Sequence, residues 1–196
     1  MKTTAIVLAA GKSSRMGSNK LLLLFDGKPV IEHILDNLAD YDTIVVTGHR
    51  PEDIEPILKR HGVRIVHNPD YEKGMTTSFQ AGLRALDEDV DSVFMVLSDT
   101  FGFKPSLLYE MELKLASTTA LLVSPVYKGK RGHPVLVAYE LFKEFLGLGE
   151  GETMRDVVLC HEDEHEYVQG DIWTRIDLDT IEDYENVKRL WAKRNS

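Results

Sequence analysis

The sequence predicts an α/β protein with a mainly parallel sheet covered on both faces by helices, an arrangement of three layers. Short apolar runs alternate with longer amphipathic stretches over the first 126 residues. Strands that alternate with helices in this way indicate βαβ units, because parallel neighbours need a crossover connection. Proline at a helix start (Pro29) and glycine behind a helix end (Gly62) support the same division of the chain.

The predicted elements follow one another with short connections. The predicted strands of this first part cover residues 4–10, 43–47, 63–67, 92–97 and 120–126. The predicted helices between them cover residues 30–39, 52–61, 76–86 and 105–116. Further on we predict short strands at 135–138, 167–168 and 173–178, two short helices among them, and a final helix at 181–193.

Length and composition limit the class of protein. With 196 residues, 43% hydrophobic and 28% charged, the chain is expected to form one domain over residues 1–196. No apolar run approaches the roughly 20 residues that span a bilayer, and no cleavable signal pattern is recognised. We therefore expect a cytoplasmic protein without membrane contact. The single cysteine, Cys160, excludes an internal disulfide and a cysteine-rich metal site.

Charge is distributed unevenly along the chain. A net charge of −9 argues against a nucleic-acid-binding protein, which needs a basic face to neutralise phosphates. The first thirty residues are different, because five basic side chains oppose one acid, Asp26. The five are Lys2, Lys12, Arg15, Lys20 and Lys28. A small anionic ligand therefore remains possible near this segment.

The loop after the first strand has the residues of a phosphate site. Glycines such as Gly11 let backbone amides approach a phosphate, and basic side chains neutralise its charge. It is not a P-loop, because Met16 stands where the second glycine belongs, and serine replaces glycine in the dinucleotide fingerprint. A flexible glycine-rich surface turn is the alternative interpretation.

Residues 8–20 fit L-A-A-G-x-S-x-R-M-G-x-x-K at every fixed position. This pattern resembles that of the molybdenum cofactor nucleotidyltransferases, the MobA-like NTP transferases. The resemblance implies a Rossmann-like nucleotidyltransferase fold of the nucleotide-diphospho-sugar transferase type, with a nucleotide-binding half at 1–100 and an acceptor-binding half at 101–196. It also implies that Arg15 holds the outer phosphates and that Lys20 grips the α-phosphate, both as catalytic residues. The backbone around the nucleobase would come from Leu8, Ala9, Ala10 and Gly11.

Residues 68–78 are similar to the segment N-P-x-(Y/W)-x-x-G-(M/L)-x-x-S of the molybdopterin cytidylyltransferase branch. The resemblance places Gly74 and Ser78 against the base and ribose. Hydroxyl groups here can bond a base edge, and they can equally begin a helix.

Two carboxylates are candidate magnesium ligands. Asp99 follows a central strand, where ligands of α/β sheets bind, although such a residue also caps turns. The family has G-D-x-P here, whereas this chain has Ser-Asp-Thr-Phe. Residues 177–183 resemble the family's D-I-D-T-P-E-D, which implies that Asp179 joins Asp99 on Mg²⁺, with Asp99 also catalytic. On the predicted strand, Asp177 and Asp179 point to one face; capping of the last helix by Asp179 or Thr180 is the alternative.

The acceptor side is predicted from two further matches. Residues 129–136 resemble G-x-x-G-H-P-V-L of the cytidylyltransferase branch, which implies that Gly132 and His133 line the acceptor side. Cations for an anionic acceptor would come from Lys128, Lys130, Arg131 and His133. Residues 150–155 match a further family motif more loosely, and this resemblance implies an acceptor-binding role for Arg155 only. Without the family, a histidine before proline is usually a turn residue.

The resemblance implies a Mg²⁺-dependent enzyme that moves CMP from CTP to a phosphorylated acceptor, molybdopterin in the first instance, and releases pyrophosphate. Ala10 and the Gly132-His133-Pro134 segment favour the cytidylyl branch. Three alternatives stay open: GTP as donor; a sugar, polyol or other small phosphate as acceptor; and a non-catalytic nucleotide-binding protein that delivers a cofactor. The product could pass to a molybdoenzyme partner.

Overall fold

The computed structural model describes residues 1–12 and 19–194. Its strands are β1 (Thr3–Ala9), β2 (Leu24–Phe25), β3 (Lys28–Pro29), β4 (Asp42–Thr47), β5 (Arg64–His67), β6 (Ser92–Leu97), β7 (Leu122–Tyr127), β8 (Lys130–Arg131), β9 (Val135–Ala138) and β10 (His165–Gln169). Its helices are α1 (Val30–Asn37), α2 (Glu55–His61), α3 (Met75–Arg84), α4 (Pro105–Ser117), α5 (Phe142–Gly147), α6 (Met154–Cys160) and α7 (Ile181–Arg194).

One mixed sheet organises the described part of the chain, with strand order β10-β7-β9-β6-β1-β4-β5 and β8 paired to β7. β1 pairs in parallel with both β4 and β6, β4 with β5, and β10 with β7. β9 runs antiparallel between β6 and β7. The prediction of a mainly parallel sheet is therefore confirmed.

The sheet separates two apolar cores, as alternation along β1 shows. Ala5, Val7 and Ala9 pack on one face with buried side chains of α1, α2, α4 and α7. Ile6 and Leu8 pack on the other face with α3, α5 and α6. Successive strand residues point to opposite faces, so a continuous apolar strand needs helices on both sides. The predicted three-layer α/β class is confirmed.

Strand register brings distant segments to one edge of the sheet. Leu8 near the end of β1 lies beside Leu97 at the end of β6, and Ala9 lies beside Thr47 at the end of β4. The residues that follow these strands therefore emerge next to one another. This edge carries the candidate site.

The predicted strand at 173–178 is wrong. Residues Ile172–Arg175 form a 3₁₀ turn instead. The Asp171 carboxylate accepts a hydrogen bond from the Trp173 N–H at 2.9 Å, and the Thr174 hydroxyl donates to the Asp171 carbonyl at 2.8 Å. Such local side-chain bonds offer the backbone an alternative to a strand ladder. The predicted helix at 52–61 also differs, because a 3₁₀ turn at Pro51–Asp53 precedes α2.

Close packing of α3 on β1 depends on Gly82. A Cβ atom at this position would lie 2.5 Å from Cγ2 of Ile6, inside van der Waals contact. The glycine thus lets the helix backbone approach the strand. None of the helices within residues 1–12 and 19–194 is long and apolar enough to cross a membrane.

Gly82→Ala should lower the free energy of unfolding by about 1–3 kcal/mol, because overpacking against Ile6 outweighs the gain in helix propensity. Gly147→Ala is the matched control: it also lies in a helix, but no atom outside its own helix would stand within 4 Å of the added Cβ. It should leave stability unchanged or raise it slightly. Urea unfolding of both variants measures the difference, and equal stabilities would refute the close approach of α3.

Candidate active site

A cleft of about 670 Å³ opens at the carboxyl edge of the sheet. Its walls come from the ends of β1 and β6, the start of α3, the β8–β9 connection and residues 174–179. Ligands of open α/β sheets bind at this edge, where helices leave on opposite faces. Of the predicted nucleotide residues, Leu8, Ala10, Gly11, Lys20, Gly74 and Ser78 line the cleft. The Ala9 side chain lies in the core, and Arg15 falls outside the described residues.

Gly48 shapes the wall beside β1. A Cβ there would lie 2.6 Å from Cβ of Tyr71 and 2.8 Å from Cβ of Ala10. The next residue, His49, donates its backbone N–H to the Ala10 carbonyl at 3.1 Å. Glycine therefore lets the Tyr71 side chain pack over the end of β1, where it lines the cleft. Sequence reasoning noted Tyr71 only as part of a motif.

The start of α3 supplies a second wall. Gly74 has φ of 112°, a conformation that favours glycine, and it caps the helix without a side-chain bond. Ser78 is buried, and its hydroxyl accepts a hydrogen bond from the Asn68 amide at 2.9 Å. Thr77 donates to the Gly74 carbonyl at 3.0 Å, a bond within the first turn of α3 that is not a side-chain cap. Contact of these hydroxyls with a nucleotide stays a prediction.

A basic side chain and three carboxylates form the centre of the cleft. Lys20 Nζ lies 2.9 Å from Oδ2 of Asp99 and 3.5 Å from Oδ1 of Asp179. The Lys20 and Asp99 side chains are only 15% and 19% exposed, so water screens their attraction weakly. Oxygens of Asp99, Asp177 and Asp179 all lie within 4.8 Å of one another. The predicted catalytic lysine and the predicted metal ligands thus lie together.

Local structure places these groups. The Asn19 carboxamide oxygen accepts the Leu21 N–H at 3.1 Å and starts the 3₁₀ turn that carries Lys20. Thr180 caps α7: its hydroxyl accepts the Asp183 N–H at 3.1 Å, and the Asp183 carboxylate accepts the Thr180 N–H at 2.9 Å. The capping role that the sequence left open therefore falls to Thr180. The Asp179 side chain turns to Lys20 in the cleft.

The carboxylates repel one another. Burial and the neighbouring charges of Asp179 and Asp99 raise the pKa of Asp177, while Lys20 opposes this rise. Like charges held this close disfavour ionisation unless a cation neutralises them. Oxygen ligands alone are the set that Mg²⁺ prefers in proteins, so the residues present fit this ion.

The β8–β9 connection brings His133 to the cleft. Gly132 is required there, because a Cβ would lie 2.3 Å from the Thr174 carbonyl oxygen. His133 donates its backbone N–H to that same oxygen at 2.8 Å. Burial lowers the pKa of the His133 imidazole against the opposing charge of Asp99. Burial therefore favours the neutral form of the side chain, and a cationic role for His133 toward an acceptor stays a prediction.

The other basic residues that were predicted to bind the acceptor do not lie together. Arg131 lines the cleft, but its guanidinium forms an ion pair with Glu162 and lies 5.3 Å from the centre of the Tyr167 ring. Lys128 and Lys130 are not among the cleft-lining residues. Arg155 lies exposed on α6, also outside the lining. A role for Arg155 in acceptor binding stays a prediction that the cleft geometry does not support.

Sequence reasoning missed Arg175. It lies at the end of the 3₁₀ turn and lines the cleft two residues before Asp177. The signal in the sequence was a basic residue directly before an acidic motif in an acidic chain. Because a strand was predicted over this segment, Arg175 was not identified as a candidate site residue.

Comparisons with known proteins agree with this geometry. The chain is 28% identical over 194 residues to the molybdenum cofactor cytidylyltransferase of Escherichia coli, covering 96% of each chain. Its fold is similar to a nucleotidyl transferase from Methanothermobacter thermautotroptrophicus, with TM-score 0.80, 24% identity, and coverage of 98% of this chain and 99% of that one. It is also similar to 4-diphosphocytidyl-2C-methyl-D-erythritol synthase from Anaerococcus prevotii, with TM-score 0.77, 20% identity, and coverage of 96% and 95%.

These solved structures support a Rossmann-like nucleotidyltransferase fold. The family model of the MobA-like NTP transferase domain matches residues 5–166, which include the end of β1, Lys20 and Asp99. With most of the chain matched, the chain belongs to the MobA-like NTP transferase family, a family of nucleotidyltransferases.

Proposed function

We propose that this protein transfers CMP from CTP to a phosphorylated acceptor, with molybdopterin as the leading candidate. The observation that carries the proposal is the contact of Lys20 with Asp99 and Asp179 in a cleft at the carboxyl edge of the sheet. A lysine beside two carboxylates provides both signs of charge that a triphosphate with its counter-ion requires.

The reaction needs little proton transfer. An oxygen of the acceptor phosphate attacks the α-phosphorus of CTP, a new P–O bond forms, and the bond to the β-phosphate breaks. Pyrophosphate leaves, and the product is a phosphoanhydride between CMP and the acceptor. The attacking oxygen is already ionised near neutral pH, so catalysis depends on alignment and on stabilising the charge that develops.

Lys20 is the described residue best placed to meet that charge, with Arg15 as the second cation that the family pattern supplies. Asp99 and Asp179 would hold Mg²⁺, and Asp177 offers a third oxygen ligand. When bound, Mg²⁺ acts as a Lewis acid that neutralises the phosphate oxygens. Lys20 would then turn from the carboxylates to the α-phosphate.

Cytidine and molybdopterin are favoured by two observations. Ala10, which the family resemblance associates with the cytidylyl branch, lines the cleft. The relative from Escherichia coli is named a molybdenum cofactor cytidylyltransferase, and the two chains match over 96% of their lengths. Transfer in the cytoplasm and delivery to a molybdoenzyme follow from the same proposal.

A second acceptor class is favoured by one departure from the family pattern. Thr100 follows Asp99, lines the cleft and is buried, whereas the next residue, Phe101, packs in the core where the family has proline. This changed connection belongs to the cleft in which the acceptor would bind. A sugar or polyol phosphate is therefore the alternative acceptor.

Nucleotide choice is tested by thermal shift with Mg²⁺ and each of CTP, GTP, UTP and ATP. CTP at about a hundred times its dissociation constant should add about 2.7 kcal/mol and raise the Tm by about 5–10 °C. A larger shift with GTP would contradict the choice of base. If no triphosphate raises the Tm, the proposed transferase activity is contradicted. The non-catalytic alternative would then be favoured only if another nucleotide binds.

Lys20→Ala and Asp99→Asn should each lower kcat at least about a hundredfold in a pyrophosphate-release assay with CTP and molybdopterin. The first removes a cation at the reacting phosphates, and the second removes a carboxylate that would hold Mg²⁺. Lys59→Ala, an exposed lysine paired with Glu55 on α2, is the control and should keep wild-type turnover. Circular dichroism checks that the variants fold. Near-normal turnover of either cleft variant would refute the roles assigned here.

Asp177→Asn should stabilise the protein at pH 7 when divalent cations are chelated. The folded-state pKa of Asp177 is raised above its ordinary 3.8, so the wild type loses stability as the pH rises through that pKa. The advantage of the variant should vanish below about pH 4. It should also shrink in Mg²⁺, where the carboxylate gains a partner.

Tm measured against pH, with and without Mg²⁺, tests this expectation. Asp163→Asn, the same charge change at an exposed residue, is the control. An advantage that does not depend on pH would show that the carboxylates do not repel one another.

A further inference from the structure

The basic groups of the cleft differ in whether they already have an anionic partner. Three lysine or arginine residues of the described chain line the cleft: Lys20, Arg131 and Arg175. Lys20 contacts Asp99 and Asp179, and Arg131 pairs with Glu162. Arg175 forms no ion pair with any residue in the described ranges, although three carboxylates line the same cleft.

The backbone that carries Arg175 is well anchored. The 3₁₀ turn begins with the Asp171 cap on Trp173, and the Trp173 side chain is buried. Thr174 is buried as well, and its carbonyl accepts the His133 N–H at 2.8 Å. The turn thus fixes where the Arg175 side chain starts, while the residue itself stays exposed.

The place of Arg175 in the cleft indicates whether its guanidinium can contact the phosphate of the nucleotide or that of the acceptor. The walls assigned to the nucleotide, Ala10 with Tyr71 and the start of α3, come from residues 8–78. Arg175 instead adjoins Gly132 and His133 through the Thr174 carbonyl. A planar guanidinium fork matches two oxygens of a phosphate group better than any other side chain.

We propose that Arg175 binds the phosphate of the acceptor, a phosphomonoester dianion, and thereby positions its oxygen for attack. Arg175 is a specificity-determining residue in this role, since it selects acceptors that carry a phosphate. The statement that this phosphate oxygen attacks CTP rests on the proposed function. Binding of a phosphomonoester by Arg175 does not rest on it, so either claim can be wrong while the other holds.

The first test measures binding of methyl phosphate, the smallest phosphomonoester, by calorimetry to protein saturated with Mg²⁺ and α,β-methylene CTP. Arg175→Ala should weaken binding about tenfold or more, and Arg175→Lys should recover part of the loss. Arg84→Ala, an exposed arginine on α3 outside the cleft lining, is the matched control and should bind as the wild type does.

Three results would overturn the assignment: no methyl phosphate binding by the wild type, equal binding by Arg175→Ala, or loss in Lys20→Ala alone, which would place the probe in the triphosphate site. If no CTP binds in the thermal-shift panel, the proposed function fails, and the titration without nucleotide still tests Arg175.

Kinetics with CTP and molybdopterin give a second readout. Arg175→Ala should raise KM for the acceptor at least about tenfold while KM for CTP stays unchanged, a split that a merely structural defect would not produce. Arg155→Ala is run beside it. If that variant raises the acceptor KM and Arg175→Ala does not, the acceptor phosphate binds elsewhere and the inference is wrong.

Discussion

The concentration of negative charge at one edge of the sheet is the constraint on which the site depends. Oxygens of three aspartates, Asp99, Asp177 and Asp179, lie within 4.8 Å of one another. Such a cluster costs stability unless positive charge neutralises it, and Lys20 provides that charge in this structure. Under the proposed function, a triphosphate with Mg²⁺ would bring a second cation to the carboxylates and a new partner to the lysine.

Backbone packing makes this concentration possible. Parallel pairing of β1 with β6 brings the end of β6, which Asp99 follows, beside the end of β1, because parallel strands end at the same edge. Two close approaches complete the cleft, and each requires a glycine: Gly48 beneath Tyr71, and Gly132 against the Thr174 carbonyl. These glycines serve close contact between chain segments rather than loop flexibility. A side chain at either position would push apart segments that form the walls of the cleft.

The two sides of the cleft carry positive charge differently. At the carboxylates Lys20 is already engaged, so an anion that binds Lys20 must replace existing ion pairs. On the other side Arg131 is paired with Glu162, burial lowers the pKa of His133, and Arg175 has no acidic partner within the described chain. An exposed guanidinium costs little desolvation until a ligand arrives. This asymmetry agrees with a reaction in which a triphosphate and a smaller phosphate meet from opposite sides.

The sequence by itself determined the α/β class, most elements through α4, and the proximity of Lys20 to Asp99, because apolar periodicity is local and parallel strands end at one edge. Tertiary structure decided the rest. The segment at 173–178 alternates like a strand, yet the Asp171 cap and the buried Trp173 make it a turn. That turn brought Arg175 into the cleft, while α6 left Arg155 outside the cleft lining. Which charges pair, and which remain for a ligand, depends on packing between residues far apart in the chain, and no local pattern contains that information.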